Sequence, residues 1–152
     1  MCGIYGFAKK EGALSVLERF KLRGMVMDLA FQNEERGKDG TGIALLSPSK
    51  WTLFKEAAPS GKLLRTKRFQ GMIREITDRT QICLGHTRLA TIGDVQNKHC
   101  HPFETEHFLG VHNGHFMNRE TLLKKYSKTA ETPVDSEAIL RVLDGEASVK
   151  GM

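Results

Sequence analysis

The chain begins Met1-Cys2-Gly3-Ile4, which sets a thiol one residue from the end of the polypeptide. Cysteine is small enough for an aminopeptidase to remove Met1 ahead of it. That leaves a thiol and a free α-amine on one residue. A terminal amine titrates at about 7.7–8.0 and an ordinary thiol at about 8.5. The amine is therefore a base matched to the thiol near neutral pH, and nucleophile and base come from a single residue. The other reading of Cys2 is a cysteine packed in a first strand, since free cysteine is among the most buried residue types.

Three further places carry complementary chemistry. Asn113-Gly114 offers a side-chain amide and a backbone N–H. Donors of that kind stabilise the oxyanion of acyl transfer by roughly 2.7–4 kcal/mol each, although Asn-Gly also makes a common hairpin turn. Arg88, in Gly85-His86-Thr87-Arg88-Leu89-Ala90-Thr91, has the planar fork that holds a carboxylate, or else forms a structural ion pair. Asp135, in Val134-Asp135-Ser136-Glu137, suits a substrate ammonium, or else caps a helix. Together these residues describe a site for an α-amino acid bearing a side-chain amide, with carboxylate on Arg88, ammonium on Asp135 and the amide carbon at Cys2. Glutamine meets those requirements.

The same stretches, with Arg36-Gly37-Lys38-Asp39-Gly40-Thr41-Gly42, His101-Pro102 and Val111-His112-Asn113-Gly114, carry a resemblance. In order and separation the chain resembles a class II glutamine amidotransferase domain of the N-terminal-nucleophile hydrolase type. It is most similar to the glutaminase halves of glucosamine-phosphate synthase and amidophosphoribosyltransferase. The resemblance implies an α+β fold, a four-layer αββα sandwich with Cys2 on an inner strand. It implies Cys2 as nucleophile, with its amine as base, and Asn113 and Gly114 as the oxyanion hole. Arg88, Thr91 and Asp135 would bind glutamine, while Arg36, His101 and His112 would support them from behind or serve in packing. L-Glutamine would be the substrate, with ammonia passing to a synthase domain or subunit that does not fit within this chain. A non-catalytic glutamine-binding or regulatory module, or an inactive fragment, is the alternative. Leu89 stands where glucosamine-phosphate synthase has tryptophan. The family's domains also continue with further strands, so residues 1–152 read as a glutaminase domain truncated at its C-terminus.

The elements that must position these residues follow from patterning. Residues 1–8 read as a strand, 9–12 as a turn, and Ser15 with Glu18 as a capping box for a helix over 16–32. Glycine-rich 36–42 reads as a loop into a buried strand 43–46. Pro48 and Ser49 make a turn before a return strand 51–54. Residues 60–77 read as helix broken near Gly71, and 81–86 as a strand. A long loop covers 92–107, and a strand 108–112 ends at Asn113-Gly114. Asn118 would cap a helix to about Tyr126, and a last helix runs from Val134 or Asp135 to about Leu143. Mixed elements in this order suit a layered domain.

Composition narrows the alternatives. The chain has 152 residues, 39% hydrophobic and 27% charged, which is enough for one domain with a real core. No apolar run reaches the ~20 residues of a membrane span, and the N-terminus lacks the pattern of a secretory signal. A cytoplasmic protein is expected. Three cysteines, Cys2, Cys83 and Cys100, do not suit a disulfide framework. Lys62, Arg65, Lys67, Arg68, Arg74 and Arg79 form a basic segment without interleaved aromatics, so it reads as a solvated face rather than a nucleic-acid site. His99, Cys100, His101, His107, His112 and His115 are potential metal ligands. Adjacent ligands converge poorly on one ion, and neither a metal nor another cofactor is expected.

Overall fold

The computed structural model describes residues 1–10, 12–48 and 50–150, with side chains through Ala147. Four strands, β1 (Gly3–Ala8), β2 (Gly40–Ser47), β3 (Lys50–Glu56) and β4 (Ile82–Arg88), form an antiparallel sheet in the order β1-β4-β2-β3. Its register sets Thr41 beside Thr87, Ile43 beside Gly85 and Leu45 beside Cys83, with Tyr5 and Phe7 next to Gly85 and Cys83. Side chains alternate across a strand, so these residues share one face. Helix α1 (Val16–Asn33) covers that face with Val26 and Ala30, joined by α2 (Ser60–Leu63) and α3 (Lys67–Arg74). Phe69 of α3 is fully buried and meets Phe54 edge to face, with ring centroids 5.4 Å apart.

The opposite face carries Gly40, Gly42, His86 and Arg88. Against it lies the segment around Cys100–Phe103, with the small antiparallel pair β5 (Phe103–Glu104) and β6 (Leu109–Gly110). Helices α4 (Arg119–Lys125) and α5 (Asp135–Lys150) pack beyond it, α5 against β5 and α4 against α5. The result is a mixed α+β domain, helices on one face of the main sheet and a two-stranded ribbon with helices on the other.

At the N-terminus β1 begins at Gly3 rather than Met1, and α1 runs one residue past the expected 16–32. Ser15 and Glu18 form the capping box: Glu18 N–H donates to Ser15 Oγ at 3.2 Å, and Ser15 N–H to the Glu18 carboxylate at 2.8 Å. Several expectations need correction. Strand β2 begins at Gly40 rather than Ile43, because the second layer demands glycine there. A Cβ at Gly42 would sit 1.9 Å from the His101 carbonyl, and one at Gly40 2.3 Å from Cys100 Sγ. The helix over 60–77 breaks at 64–66 rather than Gly71. Thr66 starts α3 afresh by accepting from Phe69 N–H at 3.2 Å.

The loop 92–107 contains a 3-10 turn, Asn97–His99, and β5. The strand 108–112 shrinks to Leu109–Gly110, paired only with Phe103–Glu104. Asn118 makes no side-chain capping bond to α4, and α5 continues to Lys150 instead of ending near Leu143. Within the expected turns, Glu11 and Ser49 lie outside the described residues, as do 151–152. No helix among the described residues is long and apolar enough to cross a membrane.

The fit of the second layer on Gly40 and Gly42 is directly testable. Gly42→Ala forces backbone against backbone, and such overpacking costs about 1–3 kcal/mol. The expected result is a lower urea midpoint with unchanged m-value.

Candidate active site

The site forms where β1, the end of β4 and the Asn113 loop meet. Strand β4 presents His86 and Arg88 to one face and Thr87 to the other, where Thr87 Oγ1 donates to the Asn33 carbonyl at 2.7 Å. Pairing of Gly3 with Thr87 then brings Cys2 to the chain just past Arg88. Leu89 N–H donates to Cys2 Sγ at 3.2 Å. Met1 is 85% exposed and precedes Cys2, whose nitrogen is therefore a peptide N–H. Met1, Cys2, Leu89, Thr91, Asn113, Gly114 and His115 line a cavity of about 450 Å³.

Asn113 is held from both ends. Its Nδ2 donates to the Cys2 carbonyl at 2.8 Å, and its Oδ1 faces His86 Nε2 at 3.1 Å. Oδ1 is an acceptor only, so His86 carries its proton on Nε2 and the amide is fixed with its NH₂ toward Cys2. Arg36 Nε also donates to the Cys2 carbonyl, at 3.2 Å. Gly114 lies against the His112 ring, where a Cβ would be 2.5 Å from Nε2. The His112 Nδ1 is 3.1 Å from Ser136 Oγ.

Arg88 is 3% exposed, and its guanidinium donates to the carbonyls of Ile92 and Asp94 at 2.5 and 3.1 Å. It thereby shapes the loop that carries Thr91. Asp39 fixes the loop's start, accepting from Ala90 N–H at 2.7 Å while its own N–H donates to the Arg88 carbonyl at 2.9 Å. Asp135 is buried at the start of α5. Its carboxylate accepts from Phe116 N–H at 2.6 Å and from Ser136 N–H at 2.9 Å. Cys2, Arg88, Thr91, His101, His112, Gly114 and Asp135 all border one small cavity of about 30 Å³, adjoining the larger one. The residues assigned to nucleophile, oxyanion hole and glutamine binding thus lie on these two cavities, with His101 and His112 on the smaller one and Arg36 reaching the site through the Cys2 carbonyl.

Two residues of the site escaped the sequence reading. His86 lay inside a quoted motif but carried no assignment. The strand's period-two alternation, which puts it on Arg88's face, was the available signal. Asp39 sat in the glycine-rich stretch, and nothing local marks its pairing with Ala90. The histidine-cysteine run also separates. The His99 Nδ1 meets Asp94, Cys100 Sγ donates to the Gln96 carbonyl, and His101 stacks on His86 with centroids 4.1 Å apart. Three neighbouring side chains thus take three different partners.

Burial governs the histidine stack. It pushes His86 down to about 4 and His101 down to about 2, because desolvation disfavours imidazolium. Both His101 nitrogens are buried without a hydrogen-bond partner among the described residues. Unfolded histidine titrates near 6.5, so between pH 6.5 and 4 the unfolded chain binds more protons than the folded one. Stability is therefore full above about pH 6.5 and falls on acidification through the folded values. Carboxylates with lowered values, such as Glu137, act below that window. Thermal melts from pH 7 to 4 should show a declining Tm, and His101→Phe should flatten the decline.

Comparison with known proteins accords with this geometry. The family model for class II glutamine amidotransferases matches residues 1–147. Glutamine–fructose-6-phosphate aminotransferase (isomerizing) of Bacillus cereus is 32% identical over 155 aligned residues, covering 97% of this chain and 23% of its own length. Its counterpart in Halalkalibacterium halodurans is 30% identical, covering 95% of the chain and 22% of that protein. The Staphylococcus epidermidis protein of that name is 31% identical, with the same coverage. The chain thus spans under a quarter of these relatives. With that match over nearly its whole length, the chain belongs to the class II glutamine amidotransferase family.

Proposed function

We propose that this domain hydrolyses the side-chain amide of L-glutamine to glutamate and ammonia, with Cys2 as nucleophile. The observation that carries the reading is the clamp on Asn113. Its amide is turned by His86 so that NH₂ faces the residue bearing the thiol, beside the Gly114 backbone. One Nδ2 hydrogen rests on the Cys2 carbonyl, and the second is free to meet an oxyanion. Removal of Met1 exposes the Cys2 amine and enlarges the cavity where the amide would enter. Arg88, Thr91 and Asp135 border the adjoining cavity and would hold the α-carboxylate and α-ammonium of glutamine. Arg36, His101 and His112 support the site through the Cys2 carbonyl, the His86 stack and the Gly114 loop respectively.

The chemistry follows from those positions. The amine takes the thiol proton as sulfur adds to the amide carbon, and negative charge collects on the amide oxygen facing Asn113 and Gly114. The carbon–nitrogen bond breaks as that proton passes to the leaving ammonia, leaving a thioester on Cys2. The amine then deprotonates water. Hydroxide displaces the sulfur, which recovers the proton as glutamate leaves. None of these steps calls for a metal or organic cofactor.

The two-stranded ribbon stands where the second sheet of a four-layer αββα sandwich would lie, and we read the domain as part of that architecture. The ammonia would pass to an acceptor on another domain or subunit. The relatives' name, glutamine–fructose-6-phosphate aminotransferase, makes a sugar phosphate the acceptor class to test first.

Cys2→Ala should abolish ammonia release while glutamine binding, followed by calorimetry, persists. Intact mass should show active molecules lacking Met1; full activity with Met1 attached contradicts the amine's role. Asn113→Ala should lower kcat roughly 10²–10³-fold with little change in KM, and a pure KM effect argues against an oxyanion donor. Arg88→Met and Asp135→Asn should chiefly raise KM, and an unchanged KM in both removes them from glutamine binding. Glutamine binding by wild-type protein without ammonia release would assign a binding module instead.

A further inference from the structure

Helix α1 is apolar on both of its sides. The inner side carries Val26 and Ala30 into the core. The outer side carries Leu17, Phe20 and Phe31, which are 60%, 74% and 57% exposed, with half-buried Met27 at its boundary, packed against the core as well. Together with Gly24 these occupy positions 17, 20, 24, 27 and 31, the alternating three- and four-residue spacing of a coiled-coil seam. A helix apolar all round belongs between two layers, and the described residues supply only the inner one.

Charge beside the seam selects what covers it. Lys21 and Asp28 lie along one edge, and neither forms an ion pair among the described residues. Laying two copies of α1 antiparallel about a two-fold axis near Gly24 brings Lys21 of each against Asp28 of the other. A parallel pair would instead set the two edges carrying Lys21 and Asp28 on opposite sides of the seam, out of each other's reach. At the crossing point a Cβ on Gly24 would meet nothing within 4 Å, so two backbones can approach closely there. Beside it runs a groove of about 340 Å³ between α1 and α3, floored by Phe20, Met27 and Ile73, which offers room for a partner's aromatic ring. Arg23 is turned away from the seam, its guanidinium donating to the carbonyls of Arg74 and Ile76 at 2.7 to 3.0 Å.

We propose that this chain self-associates as a two-fold dimer through antiparallel pairing of α1. The helix has 18 residues and is therefore about 27 Å long. Contact over that length falls toward the small end of specific interfaces. The dimer is accordingly concentration-dependent rather than permanent.

Sedimentation equilibrium on the whole chain, across a concentration series through the micromolar range, tests this. A monomer–dimer equilibrium is expected. Lys21→Glu and Asp28→Lys should each weaken it by about tenfold or more, since each then opposes like charges. An equimolar mixture of the two variants should associate, because one presents only acids along this edge and the other only bases. Phe20→Ser combined with Phe31→Ser should give monomer. The substituted side chains are on the surface, and matching circular dichroism spectra check that each variant folds. A wild-type protein that stays monomeric throughout overturns the proposal and assigns the seam to a different covering segment or partner. A dimer indifferent to these substitutions also overturns it, because it must use another face.

Discussion

A single hydrogen bond, from Asn113 Nδ2 to the carbonyl of Cys2 at 2.8 Å, joins residues 111 positions apart in the chain. It exists only if the β1–β4 register and the seating of the second layer on Gly40 and Gly42 are both right. A slip of either by one residue would carry Asn113 or Cys2 several ångströms away. The domain's topology can be understood as the means of making that contact. The sheet delivers Cys2 and His86, the ribbon delivers Asn113, and the helices fix the two layers against each other.

The polar cost of this arrangement is concentrated in one place. His86 and His101 are buried, stacked and kept neutral, and His101 has no hydrogen-bond partner among the described residues. Unsatisfied buried polar groups usually cost about 1–3 kcal/mol. Retaining one behind the site makes sense if the stack sets the plane of His86 and hence the orientation of the Asn113 amide. Arg88 and Asp39 show a similar division of labour. Much of their hydrogen bonding goes to backbone groups of the loop that follows β4, so the loop's shape is determined by side chains of the strand it leaves.

How much of this could be read from the sequence depended on the range of the interactions involved. The capping box at Ser15 and Glu18 and the apolar run 43–46 are local signals; the first located α1 nearly to the residue, and the second located β2 without its glycine start. Chemically distinctive residues at the site, Cys2, Asn113, Gly114, Arg88 and Asp135, were legible because their types together describe one ligand. What stayed hidden depended on partners distant in the chain. Gly40 and Gly42 read as a flexible loop, whereas a neighbouring layer requires them in a strand. The strand expected over 108–112 pairs only at Leu109–Gly110, with Phe103–Glu104. Asp39 matters through Ala90, and no spacing rule links the two.

The alternation of β4 has a consequence for how this domain can change over time. His86 and Arg88 reach the site only because each is an even step from the other on one side of the pleat, with Thr87 anchoring the reverse side to Asn33. Loss or gain of a single codon between Ile82 and His86 would exchange the two sides and turn both groups into the helical layer. The loop from Leu89 to Asn97 has no such parity to preserve. Length variation among descendants should be purged from the strand for its parity, and from this loop only where Arg88 and Asp39 hold its backbone.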